Sequence, residues 1–161
     1  MIEPSSIHAS CVLVGGGAVL IRGPSGSGKS RLVLQLLQAA ERGDLPFARL
    51  VSDDRTRVEA VHGRLLARPA PELAGLLELR HIGIRSTQNE PMAVVNLVID
   101  RTGQAQRLPD DSERTTEIAG ITLPRLALPA LAEALPLILA KLLELAIARR
   151  EALSRRALSE K

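Results

Sequence analysis

Short apolar runs rich in β-branched residues occupy most of the first 100 positions, whereas leucines at helical spacing dominate the end of the chain. Residues 11–14 and 18–22 form two such runs joined by three glycines, a pattern that predicts a β-hairpin. Residues 30–42 then place leucines on one helical face before Gly43, which predicts an amphipathic helix that ends there.

Further apolar runs predict more strands in the middle of the chain. Residues 47–54, "FARLVSDD", indicate a strand that ends on two carboxylates, and residues 56–69 predict a second hairpin that turns at His62 and Gly63. Residues 74–86 begin as another strand, and residues 92–100 are rich enough in β-branched residues to predict a buried one.

The last third of the chain combines a predicted loop with a long helix. Residues 101–117 are polar and are interpreted as a loop. A helical period runs from Ala130 to about Leu158, and we expect Pro136 to break or kink this helix early. Strands mixed with helices predict an α/β fold with a central sheet, hairpins and a C-terminal helix. At 161 residues, we expect a single domain over residues 1–161.

Composition narrows the function classes. The chain is 45% hydrophobic and 24% charged, which favours a folded protein. The net charge is +3 with no long basic run, and Phe47 is the sole aromatic residue, so nucleic acid is not an expected partner. A single cysteine, Cys11, excludes an internal disulfide framework and a cysteine-rich zinc site.

Nothing in the sequence predicts export or membrane insertion. The N-terminus lacks a basic start followed by an apolar run, as a secretory signal would have. Charged residues and prolines interrupt the most apolar region, residues 126–147, whereas a spanning helix needs about 20 nearly uncharged residues. We therefore expect a soluble cytoplasmic protein without a membrane partner.

The strongest motif is a phosphate-binding loop. "GPSGSGKS" fits the pattern G-x-x-x-x-G-K-[ST] between a predicted strand and a predicted helix, which is the context that the motif requires. Its backbone N–H groups can bind phosphate oxygens, its lysine can reach the β and γ phosphates, and its last hydroxyl can ligate Mg²⁺. The sequence therefore predicts nucleotide or phosphate binding by Gly23, Pro24, Ser25, Gly26, Ser27, Gly28, Lys29 and Ser30.

Other residues admit two interpretations each. Asp53 and Asp54 are either Mg²⁺ or proton-transfer carboxylates or a solvated turn, and on a continuous strand they would point to opposite faces. Glu78 is either a functional carboxylate or an outward-facing strand residue. His8 precedes the first hairpin, so the chain can return it to the loop, although a lone histidine is more often a surface residue.

Three segments together resemble the catalytic domain of HPr kinase/phosphorylase, a bacterial enzyme that acts on a serine of the phosphocarrier HPr. They are "SSIHASCVLVGGGAVLIRGPSGSGKS", "RLVSDDRTRV" and "GLLELRHIGI", and a weaker match in "QRLPDDSERTTEIAGITLPRLALP" extends the similarity to about residue 129. The resemblance covers roughly three quarters of the chain and begins near His8, so we do not expect the N-terminal domain of full-length members.

The resemblance implies ATP and Mg²⁺ as cofactors. It makes His8, Lys29, Asp54 and Arg107 active-site residues, with Asp54 as proton acceptor in phosphorylation and proton donor in the reverse reaction. The resemblance also implies that Ser30 and Glu78 are the Mg²⁺ ligands. Asp53 is a further candidate ligand. Arg80 lies in the signature stretch.

The resemblance also implies an HPr-like substrate and a homo-oligomer, a hexamer in the family. Residues 130–135 read "ALAEAL" where the family has a Lys-x-Gly-Arg-Asn segment tied to dephosphorylation, which leaves that activity open. Two alternatives also stay open, namely a kinase for another protein or small molecule, and a nucleotide-binding regulator without turnover.

Overall fold

The computed structural model describes residues 4–159, which form ten strands and two α-helices. The strands are β1 (Ser5–Val14), β2 (Gly17–Arg22), β3 (Ala48–Ser52), β4 (Arg55–Val61), β5 (Arg64–Pro69), β6 (Leu76–Leu79), β7 (Gly83–Ser86), β8 (Ala93–Arg101), β9 (Thr115–Ile118) and β10 (Ile121–Leu128). The helices are α1 (Lys29–Glu41) and α2 (Leu135–Ser159).

Eight of these strands form one bent sheet in which β1 and β8 are shared between two halves. The first half of β1 pairs with β4, whereas its second half pairs with β2 and β3. Likewise, the start of β8 pairs with β5, and the rest lies between β2 and β10, parallel to both. The parallel β2 and β8 therefore bring their carboxyl ends to the same edge, where the phosphate loop begins.

Alternating side chains divide the interior into two cores, because successive strand residues point to opposite faces. Along β2, Val19 and Ile21 pack into a core beneath α1 and the start of α2, whereas Ala18 and Leu20 pack into a second core with β4 and β5. Helix α1 buries one face against the first core through Leu32, Val33, Leu36 and Ala39. The mixed α/β fold with a central sheet and a C-terminal helix agrees with the sequence prediction.

Most predicted elements are present. Residues 74–86 begin as the expected strand, β6, and continue into a second strand, β7, that the sequence did not predict, and the two form a separate two-stranded sheet. The expected loop over residues 101–117 includes the end of β8 and a short strand, β9, which pairs with β10. The sequence did not predict β9, because the four residues of this strand, "TTEI", contain no apolar run.

Helix α2 starts later than its leucine period predicted. It begins at Leu135, so Pro136 lies in its first turn, where a missing N–H costs nothing, and does not break it. Only Ile138 of α2 is buried, and leucines on the same face pack partly against the first core. Within residues 4–159, neither helix is long and apolar enough to cross a membrane.

Candidate active site

The phosphate loop leaves β2 at Gly23 and enters α1 at Lys29. Gly23 must be glycine because a Cβ there would lie 2.5 Å from Ser27 Oγ and 2.9 Å from the backbone oxygen of Arg101. Gly28 has φ of 93°, a left-handed conformation that residues with side chains adopt at a cost. The loop therefore turns tightly enough to point its backbone N–H groups, and the first turn of α1, at one small volume.

Lys29 is buried at the edge of that volume, with 6% of its surface exposed. Its Nζ donates to the carbonyl oxygens of Gly23 and Pro24, at 2.9 and 3.2 Å, and lies 3.1 Å from His8 Nε2. Burial lowers the pKa of Lys29, and the negative charges of Asp54 and Asp53 partly oppose this effect. All three ammonium donors thus have acceptors on or beside the loop, which phosphate oxygens can replace.

His8 connects Lys29 to Asp54. Its Nδ1 lies 3.2 Å from Asp54 Oδ1, while its Nε2 faces the lysine ammonium. A neutral imidazole with its proton on Nδ1 satisfies both contacts, since Nδ1–H donates to the carboxylate and Nε2 accepts from Lys29. The structure therefore brings together three of the four predicted catalytic residues.

Asp53 is buried, with 4% of its surface exposed, and is held by hydroxyl and backbone donors. Ser30 Oγ lies 2.9 and 3.0 Å from its two carboxylate oxygens, and Ser10 Oγ donates to Oδ1 at 2.7 Å. The backbone N–H of Glu78 donates to Oδ2 at 3.1 Å. These contacts make a buried carboxylate tolerable without an arginine or lysine in direct contact.

Asp53 and Asp54 can both face the loop because β3 ends at Ser52. Asp54 adopts φ of 63°, a left-handed conformation that aspartate tolerates better than most residues. Its backbone N–H donates to Ser10 Oγ at 3.2 Å, which fixes the turn. As a result Asp53 points inward to Ser30, and the exposed Asp54 carboxylate points to His8.

The signature hairpin β6–β7 lies against the same site. Glu78 is exposed on β6, and its backbone N–H bonds to Asp53 as described above. The Arg80 guanidinium lies at the tip of the loop, 3.4 Å from the position that a Cβ on Gly26 would take. The structure thus places Glu78 and Arg80 next to the loop.

Arg107 is not part of this cluster. It lies in the exposed loop between β8 and β9, and its guanidinium makes no hydrogen bond or ion pair with the other described residues. Its role stays a prediction that rests on the resemblance alone.

Sequence reasoning missed two buried residues at the site, Ser10 and Arg101. Ser10 lies two positions after His8 on β1, so period-two alternation placed both side chains on one face of the strand. That spacing was a usable signal. Arg101 is the last residue of the apolar strand β8, beneath the loop. A charged residue at the end of a buried strand was the sequence signal that could have identified it.

The oxygen donors at the site fit Mg²⁺. The Asp53 carboxylate and Ser30 hydroxyl are in contact with each other, and Glu78, whose backbone N–H donates to Asp53, carries an exposed carboxylate on the adjacent strand β6. Between residues 4 and 159 no group of three or more His, Cys, Asp or Glu side chains forms a ready metal site. Mg²⁺ commonly binds through one or two carboxylates and completes its shell with phosphate oxygens and water.

The fold is of the mixed α/β class, and its candidate site is built on a loop whose sequence fits the phosphate-loop pattern. A sequence profile of the family described as "HPr Serine kinase C-terminal domain" matches residues 1–158. The chain therefore belongs to the HPr serine kinase C-terminal domain family, in agreement with the resemblance noted in its sequence.

Individual relatives are consistent with this assignment. The HPr kinase/phosphorylase of Streptococcus thermophilus is 31% identical over 142 residues, covering 80% of this chain and 43% of the relative. That of Lactobacillus acidophilus is 33% identical over 142 residues, covering 80% and 42%. The chain therefore spans less than half the length of these curated relatives.

A solved structure shares the fold over almost its whole length. The HPr(Ser) kinase/phosphatase from Coxiella burnetii superposes with a TM-score of 0.69 at 26% sequence identity. The match covers 91% of this chain and 99% of that one.

Proposed function

We propose that this protein is a serine kinase that transfers the γ-phosphoryl group of ATP to an HPr-like phosphocarrier, with Mg²⁺ as cofactor. The observation that carries the proposal is the chain of contacts from Asp54 through His8 to Lys29 at the mouth of the phosphate loop. Simple nucleotide binding does not need a carboxylate held at that position, whereas phosphoryl transfer to a hydroxyl does. The family and the printed names of the relatives support the choice of HPr as the acceptor.

The residues divide the work of the transfer. Asp54 accepts the proton of the attacking serine hydroxyl as its oxygen bonds to the γ-phosphorus, while the bond from that phosphorus to the ADP oxygen breaks. Lys29 and the backbone N–H groups of the loop stabilise the negative charge on the transferred group. His8 orients the Asp54 carboxylate and keeps it beside Lys29.

Ser30 and Asp53 are the residues that would hold Mg²⁺, with Glu78 as a further ligand. The ion, when bound, neutralises charge on the β and γ phosphates. The buried Asp53 also orients the Ser30 hydroxyl through two close contacts. Ser10 in turn holds the Asp53 carboxylate from the opposite side.

The reverse reaction needs the same groups in the opposite order. A protonated Asp54 gives its proton to the serine oxygen as inorganic phosphate attacks phosphoserine and the bond between phosphorus and that oxygen breaks. We propose this dephosphorylation as a second activity of the same site.

The test is the variant Asp54→Asn. It keeps the size and hydrogen-bonding shape of the side chain but cannot accept a proton, so phosphate transfer to serine should fall by about 10²–10⁴-fold. ATP affinity should be retained or increased, because the substitution removes a negative charge that repels the phosphates. The measurements are transfer of label from [γ-³²P]ATP to HPr, recovery of labelled serine, release by added phosphate, and ATP binding by calorimetry.

Asp44→Asn is a matched control, because Asp44 is an exposed carboxylate that pairs with Arg42. Its transfer rate should equal that of the wild type. Equal labelling of HPr by Asp54→Asn and wild type would remove Asp54 as the base. Wild type that binds ATP and leaves HPr unlabelled would instead support a different acceptor, or a nucleotide-binding regulator.

A further inference from the structure

Arg101 is a buried arginine directly behind the phosphate loop. It ends β8 with 4% of its surface exposed. Its Nε donates to the carbonyl oxygen of Ser27 at 3.3 Å, and its Nη2 donates to that of Ala132 at 2.8 Å. Its Cβ and backbone oxygen lie 2.9 Å from the position that a Cβ on Gly23 would take. Arg101 therefore contacts the loop near both of its ends.

The charge of this arginine has no counter-ion among residues 4–159. Both of its acceptors are neutral carbonyls, and its Nη1 is buried without any acceptor. Burial lowers the pKa of Arg101, and the positive charge of Arg31 lowers it further. A buried unpaired charge destabilises a fold unless another interaction offsets it.

Two partly buried arginines on the neighbouring strands are paired. Arg22, at the end of β2, donates to both carboxylate oxygens of Asp100 at 2.7 and 2.8 Å. Arg125 on β10 bonds to the same carboxylate. Asp100 precedes Arg101 on β8, yet its carboxylate is bound to these two arginines. Arg101 thus differs from its neighbours in lacking an anion.

An anion bound by the phosphate loop would lie close to the Arg101 guanidinium. The Arg101 Nη2 lies 3.7 Å from the position that a Cβ on Gly28 would take, immediately behind the turn whose N–H groups face the phosphate volume. We propose that Arg101 is a positioning residue of the phosphate site, which holds Ser27 against Ala132 and supplies a buried positive charge balanced by a bound polyphosphate. The inference rests on the nucleotide binding in the proposed function.

A second contact ties the same loop carbonyl to the segment before α2. The backbone N–H of Leu131 donates to the Ser27 oxygen at 3.2 Å. Leu131 adopts φ of 60°, which is strained for a leucine, and its side chain lies 3.5 Å from the Gly28 Cβ position. Arg101 and Leu131 therefore converge on one carbonyl, so the loop shape depends on residues 131–132 as well as on its own glycines.

The test compares Arg101→Met with Arg101→Lys, using ATP and inorganic pyrophosphate as probes in calorimetry and thermal unfolding without Mg²⁺. Arg101→Met removes the charge and keeps an apolar side chain of similar length, while the Leu131 N–H still satisfies Ser27. Without a probe, its melting temperature should equal or exceed that of the wild type. Its Kd for both probes should rise about tenfold or more. Arg101→Lys should recover part of that loss.

Arg64→Met is the matched control, because Arg64 is an exposed arginine at the start of β5 whose loss changes the net charge equally. Its Kd should match that of the wild type. An unchanged Kd in Arg101→Met, or no recovery in Arg101→Lys, overturns the inference while the proposed function stands. If Arg101→Met lowers the melting temperature without a probe and leaves Kd unchanged, Arg101 is only structural. If the wild type binds neither probe, with or without added Mg²⁺, the inference and the proposed function both fail.

Discussion

At the scale of single residues, a buried lysine and a buried aspartate lie close to the phosphate loop, and each is held by its own hydrogen bonds. Lys29 is buried on one side of the loop, and Asp53 is buried on the other, with the Ser30 hydroxyl in contact with the carboxylate. Each has its own acceptors or donors, so neither depends on direct pairing with the other. This arrangement leaves both groups available to a phosphate and its metal ion.

Replacement of Lys29 tests the loop directly. Lys29→Ala removes the side chain that we propose reaches the β and γ phosphates, so it should abolish the rise in melting temperature that we expect ATP with Mg²⁺ to give the wild type. The reason is mass action, since a ligand stabilises only the state that binds it. Thermal unfolding with and without ATP measures the effect.

Lys141→Ala is the control for this experiment. Lys141 lies on α2 and pairs with Glu144, away from the loop, so its removal should leave the ATP-dependent rise intact. If ATP raises the melting temperature of Lys29→Ala as much as that of the wild type, the loop does not bind the nucleotide.

The residues of the site were only partly accessible to sequence reasoning. The phosphate loop is a local motif, so its spacing alone located Gly23 to Ser30. The different directions of the Asp53 and Asp54 side chains depend on where β3 ends and on the left-handed turn at Asp54, which no local pattern specifies. Arg101 reaches the loop through the pairing of β2 with β8, which is set by contacts distant in sequence.

At the scale of elements, one ion cluster joins three neighbouring strands, β2, β8 and β10. Asp100 on β8 accepts hydrogen bonds from Arg22 on β2 and Arg125 on β10. Burial raises the pKa of Asp100, but the hydrogen bonds and charges of the two arginines outweigh it and lower the pKa below its ordinary value of 3.8. The folded protein therefore binds the Asp100 proton less readily than the unfolded chain does.

The sign of the resulting pH dependence follows from that difference. A carboxylate with a depressed folded pKa contributes stability that is complete above 3.8 and is lost as the pH falls toward the folded pKa. Asp100→Asn should lower the free energy of unfolding by about 2–4 kcal/mol at pH 7, because it leaves two partly buried arginines without an anion. The deficit relative to wild type should shrink below about pH 4.

Urea unfolding at a series of pH values measures both quantities. Asp111→Asn is the control, since its carboxylate is fully exposed and pairs weakly with Arg114. A deficit for Asp100→Asn that stays constant from pH 7 to pH 3 would contradict the assigned role of the ion cluster.

Elements with a local signal were predicted well, and those defined by distant pairing were not. The amphipathic period gave α1 to within one residue at each end, and the glycine turns gave both hairpins, β1–β2 and β4–β5. Strand β9 forms because β10 offers it a partner, and Pro136 fits a helix whose start is set by packing of Ile138. Neither contact can be deduced from the local sequence of β9 or of the start of α2.

At the scale of the whole molecule, the two cores share the strands that carry the site. Strands β1 and β8 run through both halves of the sheet, so residues of one half cannot rearrange without displacing the other. We propose on this basis that residues 1–161 form one domain. The urea experiments on Asp100→Asn should then show one unfolding transition.

A mostly apolar cavity lies at the end of the sheet opposite the phosphate loop. It has a volume of about 860 Å³ and lies between α2 and the β1–β2 turn. It sits at the start of β2, whereas the phosphate loop follows the end of that strand, about 20 Å away for six residues. The cavity is therefore separate from the proposed reaction.

Helix α2 exposes large apolar side chains to solvent, both beside this cavity and beyond it. Leu143, Ile147 and Leu158 are 63%, 50% and 75% exposed and recur on one side of the helix. Exposed apolar side chains that line up along one face favour contact with another surface. We propose that this face joins copies of the chain into a homo-oligomer, for which the family resemblance implies six.

The double variant Leu143→Asp with Ile147→Asp should disrupt that assembly, because two carboxylates cannot be buried together without partners. Light scattering coupled to size exclusion should give the wild type a mass several times that of the 17.3 kDa chain, and the variant a mass near one chain. Ala152→Asp places a charge on the opposite side of the same helix and should assemble as the wild type does. Since the substituted residues are exposed on the part of α2 beyond its first turns, ATP should still raise the melting temperature of the double variant. A wild type that elutes as a single chain at micromolar concentration, or a double variant of unchanged mass, would exclude this face as the interface.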